Sequence, residues 1–123
     1  MKYPLSVLVV DDVPEITDGM CRILGRVFET CRKASNGLEA IDLCTAHHVD
    51  VLITDVVMPE MNGVELVRQV RERFPHIRPL VVITGEASPE SLETIEEMGI
   101  QTFTKPLDVD ALLTFLESAF GAP

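Results

Sequence analysis

Asp11, Asp12, Asp55, Thr84 and Lys105 are the residues whose types and spacing point to chemistry. Each stands where an apolar, β-branched run stops: Leu5–Val10 runs into Asp11 and Asp12, and Val51–Thr54 into Asp55. Leu80–Ile83 ends at Thr84, and Ile100–Thr104 ends at Lys105. If those runs are parallel strands about 4.8 Å apart, their carboxyl ends share one edge and the five side chains converge. Two carboxylates about 5 Å apart repel by roughly 3 kcal/mol at an effective dielectric of 20, so the grouping calls for a cation. Hard oxygen ligands in a cleft favour Mg²⁺, or Mn²⁺ in its place, which keeps coordination positions for a phosphate ligand. Asp55 then has the position of a nucleophile. Lys105, Thr84 and the metal would neutralise the phosphoryl oxygens.

Taken singly, each residue has a plainer explanation. Asp12 could cap the following helix, Lys105 could be a solvated surface lysine, and Thr84 could be one more strand residue. Their joint placement at the ends of four separate strands is what favours the chemical reading. His47, His48 and His76 have no partner in this set and are expected at the surface.

The elements that must position these residues alternate along the chain. Four fully or largely apolar runs are the strands named above, and Phe28–Ala34, more polar and alternating, reads as an edge strand. A helix opens at Pro14, with Ile16, Met20, Ile23, Leu24 and Val27 at helical spacing. Asn36 with Glu39 and Asn62 with Glu65 have the form of helix caps. The second helix carries Leu38, Ile41 and Leu43 inward. The third runs from about Asn62 to Arg73 and stops at Pro75. Ser88 and Pro89 start a fourth helix that Gly99 ends, and Asp108 caps a fifth with Leu112, Leu113, Leu116 and Phe120 on one face. Five strands alternating with five helices predict an α/β, doubly wound parallel sheet in the order 2-1-3-4-5. Residues 1–123 are expected to form one domain, and Gly121–Pro123 resembles the beginning of a linker.

Composition narrows the function. The 123 residues are 46% hydrophobic and 24% charged, as in ordinary globular domains. A formal charge of −10 argues against direct contact with nucleic acid or an anionic membrane, both of which need a basic patch. No apolar run approaches the roughly 20 residues needed to span a bilayer, and no signal peptide is evident. Cys21, Cys31 and Cys44 are odd in number and lack CxxC spacing, so they read as buried, reduced thiols of a cytoplasmic protein.

With these residues assembled, the sequence resembles the response-regulator receiver domains of bacterial two-component signalling, from Leu5 to Phe120. The carriers are Val9-Val10-Asp11-Asp12, Asp55-Val-Val-Met-Pro59 with Gly63, Val82-Ile-Thr84-Gly85 and Lys105-Pro106-Leu107. The resemblance implies the flavodoxin-like receiver fold. It makes Asp55 the acceptor of a phosphoryl group from a sensor histidine kinase or phosphotransfer protein. It gives Mg²⁺ to Asp11, Asp12, Asp55 and the backbone carbonyl of Val57, and has Thr84 and Lys105 hold the phosphoryl group. It also implies that the face formed by the fourth helix, fifth strand and fifth helix switches. Such a domain catalyses only its own phosphorylation and dephosphorylation. The resemblance names neither the kinase nor the downstream effector.

Two positions depart from or qualify that pattern. The family carries Tyr or Phe three residues before the lysine, where this sequence has Thr102, and neighbouring Phe103 would point to the opposite face of a strand. Val57, two residues after Asp55, cannot orient a hydrolytic water, whereas Glu86 has a carboxylate that could. Two other readings use the same residues: an inactive receiver-like interaction module, and a haloacid-dehalogenase-type phosphatase. The phosphatase class wants an acid two residues after its nucleophile, where this chain has Val57.

Overall fold

The computed structural model describes residues 1–121, so the linker-like ending read at Gly121–Pro123 falls outside it from Ala122 onward. The element order is β1(Tyr3–Val10), α1(Pro14–Leu24), β2(Phe28–Ala34), α2(Gly37–Ala46), β3(Val51–Thr54), α3(Gly63–Arg73), β4(Leu80–Thr84), α4(Pro89–Glu97), β5(Gln101–Thr104) and α5(Val109–Phe120). The strands are parallel and ordered β2-β1-β3-β4-β5, the doubly wound arrangement expected from the alternation of runs.

The period-two alternation of the strands divides the core in two. Val7, Val9, Val51, Ile53, Val81 and Ile83 pack towards α1 and α5, meeting Leu24, Leu112 and Leu116. Leu8, Val10, Leu52 and Val82 pack the other way, against Ala40 and Ile41 of α2, Leu66, Val67 and Val70 of α3, and Ile95 of α4. With both faces covered, the central strands β3 and β4 are apolar except for the threonines at their carboxyl ends, Thr54 and Thr84. Both strands are buried from end to end. Edge strand β2 is only partly buried between its terminal residues Phe28 and Ala34.

Local chemistry sets where each helix begins. The side chains of Asn36, Asn62, Ser88 and Asp108 accept hydrogen bonds from the backbone N–H groups of Glu39, Glu65, Ser91 and Ala111. Gly99, at φ 71°, turns the chain out of α4 in a conformation that side-chain-bearing residues avoid.

The structure corrects three expectations. The first helix ends at Leu24 with Gly25 as its C-cap, so Val27 lies in the turn beyond it rather than on its face. Leu38 does not face the core: it is 49% exposed at the start of α2, and Ala40, Ile41 and Cys44 form the buried stripe instead. Gly37, Ala40, Ile41 and Cys44 recur at i, i+3, i+4 and i+7 along the buried face, and position 38 falls off that stripe. The cysteines also differ. Cys21 and Cys31 are joined in a disulfide, and only Cys44 is free. The last turns of α1 cross the edge strand and bring the two Cα atoms to 5.5 Å, a tertiary coincidence with no local spacing to announce it. On chain-entropy grounds a bridge across this 10-residue separation contributes about 3 kcal/mol. It also removes the cysteine argument for a reducing compartment. Burial pushes the Cys44 thiol up to about 11, with the charge of Arg73 pulling the other way, so it stays protonated and inert.

The contrast between Leu38 and Leu52 is measurable. Leu52→Ala, at a position with no exposure, is expected to cost about 3 kcal/mol in urea unfolding, and Leu38→Ala no more than about 0.5 kcal/mol. Equal losses would place Leu38 back in the core.

Candidate functional site

In a 2-1-3-4-5 sheet the chain reverses its direction of winding between β1 and β3, and the crevice at the carboxyl ends of those strands is where such folds bind ligands. Val10 is paired with Thr54, so the next residue on each strand, Asp11 and Asp55, flanks that crevice. The Asp55 N–H donates to the Val10 carbonyl at 3.0 Å and extends the ladder into the site. On the other side, Thr84 pairs with Thr104, and the Lys105 N–H donates to the Thr84 carbonyl at 3.1 Å. All five sequence-predicted side chains therefore lie along one edge.

Carboxylate oxygens of Asp11, Asp12 and Asp55 lie within 4.8 Å of one another. Asp11 and Asp55 are buried, while Asp12 is exposed at the rim. Asp12 is not a cap: Val13 holds the N-cap position of α1, without a side-chain hydrogen bond. The Lys105 Nζ sits 3.1 Å from Asp11 Oδ2 and 2.9 Å from Asp55 Oδ2. The second oxygens of these acids are held by the backbone, Asp11 Oδ1 by Val13 N–H at 2.9 Å and Asp55 Oδ1 by Val56 N–H at 2.7 Å.

Lys105 reaches this position from an edge strand, across the end of β4. Gly85 leaves room for the crossing, since a Cβ there would come 3.3 Å from the Lys105 Cβ and the stem would have to give slightly. Partial burial tends to lower the lysine's proton affinity. Hydrogen bonds and charge from Asp55 and Asp11 overcome that and hold it above 10.5. Because the folded-state value is raised, the stabilisation from this pairing is complete below 10.5 and is lost only as pH rises through the folded-state value. The ammonium is thus constant across the neutral range.

Thr84 is buried at the same edge, and its Oγ1 has no hydrogen-bond partner among the described residues. An unsatisfied buried hydroxyl costs about 1–3 kcal/mol, so a ligand that supplies an acceptor here gains accordingly. The donor set fits a hard divalent cation with an anion beside it: three carboxylates on one side, an ammonium and an unpaired hydroxyl on the other.

The loop after β3 closes over the crevice. Its Gly63 N–H donates to the Val56 carbonyl at 2.8 Å, and a Cβ on Gly63 would lie 2.1 Å from the Asp55 carbonyl oxygen. Glu60, at φ 71°, takes the left-handed region without being glycine, and such strain concentrates in loops over ligand sites. Val57 is 49% exposed at the mouth, and Glu86 is exposed beyond Thr84.

The three histidines lie at the opposite end of the sheet, before β3 and β4. His48 Nε2 is 2.8 Å from Asp50 Oδ1, and its ring stacks on His76 at 5.1 Å. None joins the cluster. What the sequence does not disclose is the backbone share of the site, the N–H groups of Val13 and Val56 that orient the two buried acids. No side-chain identity encodes them.

A sequence model of the response regulator receiver domain matches residues 7–117. The chain belongs to that family. Relatives include the DNA-binding transcriptional regulator NtrC of Escherichia coli, 30% identical over 116 residues, which are 94% of this chain and 24% of that protein. The autoinducer 1 sensor kinase/phosphatase LuxN of Vibrio harveyi is 32% identical over 108 residues, 87% of this chain and 12% of that protein. The chain thus spans about a quarter or less of these curated relatives. Among solved structures, the chemotaxis protein CheY4 of Vibrio cholerae superposes with a TM-score of 0.80 at 29% identity, covering 94% of this chain and 98% of that one. Receiver domains are signalling domains of two-component systems, partnered by histidine kinases or phosphotransfer proteins, and they bind Mg²⁺ at an acidic pocket.

Gly63→Ala tests the roof of the receiver site. The added methyl is expected to push the backbone of Asp55 and Val56 apart, destabilise the fold by about 2 kcal/mol or more, and weaken Mg²⁺ binding. Thermal melts and Mg²⁺ titration check it, and wild-type values for both would show that the loop tolerates a Cβ.

Proposed function

We propose that residues 1–123 form one receiver domain in which Asp55 accepts a phosphoryl group from the phosphohistidine of a sensor histidine kinase or phosphotransfer protein. A carboxylate oxygen of Asp55 attacks phosphorus, the phosphorus–nitrogen bond breaks, and the donor imidazole leaves with that electron pair. Asp11, Asp12, Asp55 and the Val57 carbonyl would hold Mg²⁺, or Mn²⁺, which supplies charge neutralisation when bound. Lys105 binds one phosphoryl oxygen, exchanging part of its pairing with Asp11 and Asp55 for the new dianion. Thr84 donates its hydroxyl to another.

The observation that carries this reading is Thr84. Its buried hydroxyl lacks a partner beside a lysine that pairs two acids, and a phosphoryl group on Asp55 would satisfy it. The gain is differential, present only in the phosphorylated state, so it can shift the α4-β5-α5 face between two arrangements. We place the protein in the cytoplasm, where its kinase partners act. The formal charge of −10 argues against contact with nucleic acid or an anionic membrane surface, and no helix among the described residues is long and apolar enough to cross a membrane.

The phosphorylation test uses acetyl phosphate with Mg²⁺ and intact-mass measurement. A single phosphoryl adduct, absent in Asp55→Asn, is expected. No adduct would favour an inert module, and continuous hydrolysis of small phosphate esters would favour a phosphatase. Val57→Asn is expected to change the adduct's lifetime while leaving Mg²⁺ affinity largely intact, and equal lifetimes would remove position 57 from the hydrolytic step.

The readout differs from the family pattern at Thr102. Phe103 lies on the α5 face, edge-on to Phe115 at 6.0 Å, and Thr102 faces the other way, where an aromatic would stand. Output here therefore works without an aromatic swing. A crystal structure with a phosphoryl mimic in which Phe103 fills the space beside Thr84 would overturn this.

A further inference from the structure

The end of the molecule opposite Asp55 carries a groove of about 640 Å³, open along one side, whose floor is the start of β4 and β5. One wall is α5, with Phe115, Ala119 and Phe120; the other carries Arg71 from the last turn of α3 and Arg78 from the α3–β4 loop. Ile100 lies between them.

Neither arginine forms an ion pair among the described residues, although the chain has 20 acids to 10 bases. Attraction to the helix dipole accounts for an arginine in the last turn of α3. It does not account for Arg78, which is outside any helix and whose Nε donates to the Pro75 carbonyl at 3.3 Å. That bond leaves its terminal nitrogens free to meet a ligand.

Acids open all five helices, at Glu15, Glu39, Glu65, Glu90 and Asp110, and so surround the Asp55 end. The opposite end is mixed, with Arg22, Arg71 and Arg73 closing α1 and α3 and Glu96 and Glu97 closing α4, but the groove lining itself carries two arginines and no acid. An anionic ligand is repelled from the Asp55 end and meets only positive charge on the groove lining.

We propose that this groove docks a short acidic, amphipathic peptide segment of a partner protein, its carboxylates on Arg71 and Arg78 and its apolar side chains against Phe115, Ile100 and Phe120. Bidentate guanidinium–carboxylate pairing supplies the selectivity for acid, and the aromatic wall supplies the apolar contact. A peptide suits the groove better than a small molecule, because ligand pockets of similar volume enclose most of their ligand and this one is open. The site is distinct from the phosphoryl site and does not depend on phosphorylation. Phe115 nevertheless touches Phe103 on β5, so the groove wall adjoins the strand that leads to Lys105.

The test is fluorescence anisotropy on the unphosphorylated full chain with a fluorescein-labelled peptide of repeating Glu-Leu-Asp-Phe, alongside its Gln-Leu-Asn-Phe counterpart. Saturable binding of the acidic peptide is expected, weakened about tenfold or more in Arg71→Glu and in Arg78→Glu and unchanged in Arg22→Glu, a reversal outside the groove. Ala119→Trp, which adds bulk on the α5 wall and leaves both arginines in the sequence, is expected to weaken binding as well, with circular dichroism establishing that each variant is folded. In the wild-type protein, amide resonances of Gly99 and Gln101 should shift on titration. No saturable binding, equal affinity for the amide peptide, or equal affinity in the groove variants would each overturn the proposal. Sedimentation showing that the chain fills the groove with its own acidic end would also overturn it.

Discussion

Asp11 and Asp55 are buried carboxylates at the ends of adjacent strands, and the fold tolerates them because one ammonium lies between them. Without Lys105 each would be a desolvated charge beside a like charge, an arrangement that costs several kcal/mol when one partner is removed. Much of the architecture around the site serves that contact. β1 and β3 are apolar in their paired segments except for the buried Thr54, so they sit centrally and bring the acids together. Gly85 clears the end of β4 so that the lysine stem can cross it. Backbone N–H groups of Val13 and Val56 hold the remaining oxygens, which leaves the Lys105-facing oxygens in fixed positions.

The same arrangement leaves the site unbalanced rather than closed on itself. A balanced buried salt bridge would have one acid for one base. This one has three acids grouped around a single lysine, together with an unpartnered threonine hydroxyl. The residual negative charge favours a divalent cation, and the hydroxyl favours an acceptor oxygen. Neither demand is met by protein groups. The site is therefore poised for a ligand that brings both, and the acids in the first turns of all five helices deepen the attraction for a cation.

Much of this was legible in the sequence because it rests on short-range rules. Apolar runs of strand length ending in Asp11, Asp55, Thr84 and Lys105 are visible without a structure, and the caps at Asn36, Asn62, Ser88 and Asp108 follow from side-chain chemistry alone. What was not legible depends on rotation and crossing. Leu38 is apolar and lies in a helix, but its outward direction depends on which face that helix turns to the sheet. Cys21 and Cys31 are separated by a turn and a change of element, and only the angle at which α1 crosses β2 brings them together. The backbone donors in the site are equally hidden, since every residue but proline carries one.

Thr102 limits how the two ends of the molecule can communicate. In β5 successive side chains face opposite layers, so Thr102 belongs with α4 and Phe103 with α5. A small β-branched residue at 102 cannot sweep out a volume large enough to repack α4 by itself. Phe103 cannot substitute, because exchanging faces would require the strand to shift by one residue, and the Lys105–Thr84 backbone bond pins that register. Any rearrangement that begins at Thr84 must therefore pass through the β4–α4 connection or through small displacements of β5 as a whole. The second route moves Phe103 against Phe115, and with it one wall of the groove at the far end. A receiver built in this way would transmit along the strand axis, from the carboxyl ends to the amino ends of β4 and β5, rather than sideways through a rotating ring.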